Sequence, residues 1–159
     1  MIDLEPLTEQ HQDVLWDMLY LALFVPPGAS PLPREGIFQE PLSRYADAWG
    51  RAGDLGLLAR DPQTGEAVGA VWLRHFPAEA PGYGFVAEEV PELSIAVVPR
   101  FRGQGTGTRL LEAVLDVSDA RGVSLSVSRK NPAVRLYRRF GFQEVAGDGN
   151  TVIMERTAS

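Results

Sequence analysis

Three glycines in five positions, Gly103, Gly105 and Gly107, set the chemistry of the stretch from Arg102 to Thr108. Glycine lets a backbone bend until several N–H groups converge on one point. An amphipathic run follows at once, and the first turn of a helix already offers unpaired donors and a positive dipole end to an anion. Phosphate suits such a loop. A dinucleotide fingerprint would need its third glycine at Thr108, and a Walker loop would need a Lys after Gly105 or Gly107; neither is present. Taken alone, R-x-x-G-x-G from Arg102 to Gly107 is also open to being a plain glycine-rich turn.

Two further groups of side chains could do chemistry. Tyr137 shares helical spacing with Ala133, Leu136 and Phe140, so a core aromatic stands beside a phenolic proton donor as its reading. Glu79, Glu88, Glu89 and Glu92 fall within fourteen residues with no Lys or Arg between them. They are solvated charges, or a field that draws in a cation. The chain has no cysteine, which removes disulfides, thiolate metal sites and a Cys nucleophile together. Its two histidines, His11 and His75, lack ligand spacing, so no metal is expected.

The elements around these residues follow from periodicity. Leu93, Ile95 and Val97 alternate with smaller residues from Glu92 to Val98, which predicts a strand stopped by Pro99. A helix from about Gly105 to Arg121 buries Leu110, Leu111, Val114, Leu115 and Ser118, and Gly122 suits its stop. Val123, Leu125 and Val127 alternate with serines in the next strand. Asn131 caps a helix that Pro132 opens and Gly141 closes. Upstream, a strand within Met1 to Leu7 precedes a helix from Glu9 to about Leu23, capped by Thr8. A second helix is expected from Pro41 to Arg51, with Leu42, Tyr45, Ala46 and Trp49 on one stripe. Asp54–Arg60 and Ala67–Phe76 form a hairpin, a long loop with a Gly82-Tyr83-Gly84 hinge spans Pro77 to Pro91, and Phe142–Val145 and Thr151–Glu155 form a last hairpin. Pattern alone supports a mixed α/β domain with one strand–helix–strand unit.

The Arg102–Gly107 motif after a strand and before a helix resembles the central motif of the acetyl-CoA-dependent N-acetyltransferases of the GNAT superfamily. A second stretch is similar to that family's N-x-A-x-x-L-Y-x-x-x-G-F signature, carried by Asn131, Ala133, Leu136, Tyr137, Gly141 and Phe142. The resemblance runs from Glu92 to about Val145. It implies the GNAT fold, a mixed and mostly antiparallel sheet flanked by helices in the order β-α-α-β-β-β-α-β-α-β-β, as a single domain over 1–159. It also implies that acetyl-CoA binds as cosubstrate along Ile95, Ala96, Val97 and Val98, with pyrophosphate on Arg102, Gly103, Gln104, Gly105, Thr106, Gly107 and Thr108, and with Asn131 in contact. The N–H of Val97 or Val98 is then the oxyanion donor. Tyr137 is the general acid, since a phenol near ~10 keeps its proton at neutral pH for a thiolate whose thiol titrates near ~8.5. Glu92 is the base, with Glu88 and Glu89 as alternatives. Direct transfer of acetyl to an amine is expected, the acceptor being a small cationic amine or a protein N-terminus. A silent acyl-CoA sensor of the same fold is the other reading.

The chain has 159 residues, a hydrophobic content of 45% and a net charge of −6. That suits one soluble domain, monomeric or homodimeric, and disfavours nucleic acid as a partner. No apolar run approaches the ~18 residues of a membrane span, and the opening residues lack a basic-then-apolar leader, so no membrane partner and a cytoplasmic location are expected.

Overall fold

The computed structural model describes residues 1–157, so the last two residues of the domain expected over 1–159 lie outside the described residues. Among the described residues seven strands are present: β1 (Asp3–Pro6), β2 (Leu55–Arg60), β3 (Ala67–Arg74), β4 (Glu92–Val97), β5 (Gly122–Ser128), β6 (Gln143–Gly147) and β7 (Thr151–Thr157). Three α-helices accompany them: α1 (Gln12–Ala22), α2 (Thr106–Val117) and α3 (Ala133–Arg139). The strands hydrogen-bond in the order β1-β2-β3-β4-β5-β7-β6. The pairs β1–β2, β2–β3, β5–β7 and β6–β7 are antiparallel; β4 and β5 are parallel, with one register pair, Glu92 opposite Ser124. The mixed, mostly antiparallel sheet flanked by helices is therefore as expected.

The chain clusters into two compact units. The first comprises Met1–Leu23, Leu32–Leu73 and Ser94–Ser118. Its centre is β3, whose run Val68-Gly-Ala-Val-Trp-Leu73 is buried throughout, the signature of an inner strand covered on both faces. Leu15, Met18 and Leu19 from α1 and Leu110, Leu111 and Val114 from α2 are buried in this unit. Thr8 caps the start of the first helical segment as expected. Its hydroxyl accepts from Gln10 N–H at 3.3 Å, and His11 Nδ1 accepts from Thr8 N–H at 2.9 Å, so a histidine completes the capping box. The first turn, Glu9–His11, is a 3-10 turn rather than α-helix.

The second helix expected over Pro41–Arg51 does not form. Two 3-10 turns, Arg34–Phe38 and Leu42–Tyr45, stand in that region. Ala48 at φ 48° and Gly50 at φ 110° leave helical backbone geometry and end the run. The apolar stripe was nonetheless meaningful: Tyr45, Ala46 and Trp49 are buried, and Trp72 Nε1–H donates to the Tyr45 carbonyl at 2.9 Å.

The second unit comprises Phe24–Pro31, Arg74–Leu93 and residues 119 onward. Here β7 lies between β5 and β6, and Val123, Leu125, Tyr137, Phe142, Val152 and Met154 are buried. α2 stops at Val117, earlier than the expected Arg121, because Ser118 turns to extended geometry while its N–H still reaches Val114. Serine and aspartate compete with the helix for backbone partners. Gly122 opens β5 instead of capping that helix; a Cβ there would stand 3.3 Å from the Arg156 carbonyl oxygen, so close strand approach is its role.

Candidate active site

Within the first unit, β4 leads through a 3-10 turn (Pro99–Phe101) and the glycine loop into α2. Val98 N–H donates to the Val68 carbonyl at 2.9 Å. Consecutive strand residues direct their backbone groups to opposite edges, so the Val97 N–H points along the edge of β4 away from β3. The Val97 carbonyl confirms that edge by accepting from Arg102 Nε at 3.0 Å. Of the two amides expected as oxyanion donors, Val98 is engaged and Val97 is directed outward. Ile95 and Val97 are half-buried while Ala96 between them is buried, so the expected apolar face is partly open.

Gly103 and Gly105 adopt φ of 75° and 83°, and a Cβ on either would meet nothing within 4 Å. Glycine is required there for backbone conformation, with open space beside it. No side chain caps α2, and its first internal bond is from Arg109 N–H to the Gly105 carbonyl at 3.0 Å. The N–H groups of Thr106, Gly107 and Thr108 precede that bond and carry the positive end of the helix. Side chains brace this loop from beneath. Gln104 donates to the Arg100 carbonyl at 2.8 Å, and buried Thr106 donates to the Phe101 carbonyl at 3.4 Å.

In the second unit, Asn131 Oδ1 accepts from Ala133 N–H at 2.9 Å and starts α3. Its amide nitrogen remains as a donor for a ligand. Tyr137 is buried on α3 with its ring 5.9 Å from that of Phe142, edge to face. Loss of solvent pushes its phenol up to about 12, so the proton is held through the neutral range. Glu92 heads β4 at 2% exposure, and its Oε1 accepts from Gly84 N–H at 2.9 Å. Gly84 is no hinge: a Cβ would fall 2.7 Å from the Leu125 carbonyl carbon, so the loop lies flush on β5 at that point. Glu88, one of the alternative bases, clasps the same loop, its Oε2 accepting from Ala78 N–H at 2.7 Å. Glu79 and Glu89 are exposed. Among the described residues, no group of three or more His, Asp or Glu could hold a metal, and no helix is long and apolar enough to cross a membrane.

The family model for the acetyltransferase (GNAT) family matches residues 17–142. The chain belongs to the GNAT family. A candidate GNAT-family acetyltransferase from Bordetella pertussis is 25% identical with a TM-score of 0.68, covering 98% of this chain and 95% of that one. A candidate acetyltransferase from Salmonella typhimurium, solved with its cofactor acetyl-CoA, shares the fold at a TM-score of 0.70 and 15% identity, over 100% of this chain and 95% of that one. In sequence, a candidate ribosomal protein bS18-alanine N-acetyltransferase from Bacillus subtilis is 36% identical over 66 residues, 39% of this chain and 44% of that protein. The chain spans 15% and 44% of the lengths of the two curated relatives it matches.

The GNAT motifs thus fall in two groups. The first unit gathers β4 from Ile95, the glycine loop and the start of α2; the second gathers Glu92, Asn131 and Tyr137. Sequence reasoning missed Gly84 as a docking point and Ser124 as a buried hydroxyl opposite Glu92. Neither carries a local signal, because burial and register both come from other strands.

Proposed function

We propose that this GNAT chain, as one domain over 1–159, is an N-acetyltransferase that moves acetyl from acetyl-CoA directly to an amine through a ternary complex in the cytoplasm. The observation that carries the reading is the uncapped, glycine-lined start of α2 beside an outward-directed strand amide at Val97. An anion and a thioester are what such a pair accommodates. Gly103 and Gly105 leave open space at that point, which fits a pyrophosphate, and the Salmonella relative's acetyl-CoA supports the choice. Residues Arg102 to Thr108 would hold the pyrophosphate and Ile95 to Val98 the arm that follows it.

When bound, acetyl-CoA supplies a thioester acetyl group. The Val97 N–H would donate to the carbonyl oxygen of a thioester held along Ile95 to Val98. In this reading the Tyr137 hydroxyl would supply a proton to the departing sulfur, and Glu92 would take one from the attacking amine. A small cationic amine is the acceptor this proposal favours, because Glu79 and Glu89 leave negative charge exposed beside the loop that Glu92 holds. The bS18 relative keeps a protein N-terminus as the second acceptor class to try.

The test is thiol release from acetyl-CoA in chelator, with spermidine and an alanine-initiated peptide as acceptors, alongside calorimetry of acetyl-CoA alone. Binding with turnover on either acceptor supports the enzyme. Tight binding with no turnover decides for a sensor domain, and no binding sinks both.

A further inference from the structure

Two oppositely charged surfaces stand in the second unit. The cationic one runs over residues 129–139, which hold five of the chain's 15 cations and none of its 21 acids, in a protein of net charge −6. Arg129 is engaged locally, gripping the Glu144 carboxylate at 2.9 and 3.1 Å. Lys130, Arg135, Arg138 and Arg139 are exposed, and none forms an ion pair among the described residues. The three arginines occupy i, i+3 and i+4 of α3, so they share one face. Tyr137, half a turn round, is buried, which turns that face outward. Helix stability does not account for the pattern. Arg135 and Arg139 repel each other at i, i+4, and Lys130 and Arg135 stand at the end of α3 where the dipole disfavours cations.

The acidic surface is the loop from Pro77 to Pro91. Glu79, Glu88 and Glu89 are exposed there with no Lys or Arg between them, and none forms an ion pair among the described residues. Tyr83 rises among them at 52% exposure. The support beneath is firm. Gly84 N–H donates to Glu92 Oε1 at 2.9 Å, and Gly84 presses on the backbone of β5. Arginine and tyrosine are enriched where proteins meet. A guanidinium pairs with a carboxylate through two hydrogen bonds and also stacks on a phenol ring.

We infer that the protein self-associates, α3 of each copy docking on the Pro77–Pro91 loop of the other. A second copy is the occupant because every chain brings both complements. They match in size, eleven residues from Arg129 to Arg139 against eleven from Glu79 to Glu89. Used reciprocally, the two contacts are related by a two-fold axis and close at a dimer. Exposed ion pairs contribute little each, so the dimer is weak and sensitive to salt. It does not depend on which reaction the chain catalyses.

Sedimentation velocity on the purified chain tests this across protein concentration and salt. Dimer should populate near ~100 µM protein at low salt, as a small polar contact allows. Its dissociation constant should rise about tenfold or more at ~0.5 M salt. Arg135→Glu with Arg139→Glu should abolish the dimer, and Glu79→Arg with Glu89→Arg should do the same. Mixed in equal amounts, those two variants should dimerise with each other, since each then supplies what the other lacks. All four positions are exposed, so circular dichroism should match wild type in both variants. A wild-type chain that stays monomeric throughout overturns the inference, as does a mixture that fails to recover. A monomer that instead binds a uridine oligonucleotide through the same arginines assigns the face to RNA and overturns the dimer too.

Discussion

Tyr137 is where burial and chemistry pull against each other. A phenol pushed up to about 12 keeps its proton, as a general acid must, but it is then a weaker acid than a thiol near ~8.5. Its help is therefore greatest as a hydrogen bond made to the sulfur while the C–S bond breaks. Tyr137→Phe should lower kcat by about 10²-fold with acetyl-CoA affinity intact, measured by steady-state thiol release. The same burial makes a stability prediction. The neutral phenol is favoured in the fold, so its contribution is complete below pH ~10 and is lost as pH climbs through about 12. A phenol pushed up to about 12 by burial corresponds to about 2–3 kcal/mol at high pH. Urea unfolding at pH 9 and 11.5 should show a smaller alkaline loss in Tyr137→Phe than in wild type. At Glu92, Gln can still accept from Gly84 N–H, whereas Ala cannot. Glu92→Gln should fold normally, react slowly at neutral pH and move the optimum upward. Glu92→Ala should also lose about 1–3 kcal/mol, the cost of a buried donor left unmet. Equal stability of the two variants in denaturant would show that the Gly84 bond contributes nothing.

The glycine loop and α2 act as one element, and two of the glycines there answer to different constraints. Gly105 has positive φ and open space, so Gly105→Ala should cost about 1 kcal/mol from backbone strain alone. Gly107 lies inside α2 without positive φ, and a Cβ would only approach Val97 at 3.9 Å. Gly107→Ala should keep or slightly raise stability, since alanine is the better helix former by about 1 kcal/mol. It should still weaken acetyl-CoA binding by crowding the helix start. Calorimetry with unchanged affinity in a stabilised Gly107→Ala protein would remove this helix start from the site. The loop was legible in the sequence because its signal is local: glycine spacing, a proline stop and an amphipathic run. The Pro41–Arg51 stretch shows the limit. Its apolar spacing predicted which side chains are buried, while Ala48 and Gly50 decided that the backbone between them is not helical. Periodicity reports the face a core demands, and several backbone paths can present it.

For the molecule as a whole, the excess of negative charge bears on capture of a cation. Glu79, Glu88 and Glu89 are all exposed in one loop; Glu88 clasps that loop, so Glu79 and Glu89 are the two to neutralise without disturbing it. Glu79→Gln with Glu89→Gln should raise the KM for spermidine about two- to threefold at low salt, with kcat unchanged, and the difference should vanish near 0.5 M salt, where screening is short-ranged. A salt-independent difference would point to direct contact instead. At this scale topology decides: nothing in the Thr151–Thr157 stretch itself announces that it pairs on both sides, with β5 and with β6. That placement bears on how the protein is made. Synthesis delivers β5 and β6 before the strand that separates them, so until Thr157 has emerged each waits with a naked hydrogen-bonding edge. A nascent chain halted before Thr151 is a two-edged template for aggregation, and a messenger truncated there should yield inclusion bodies rather than a shortened enzyme.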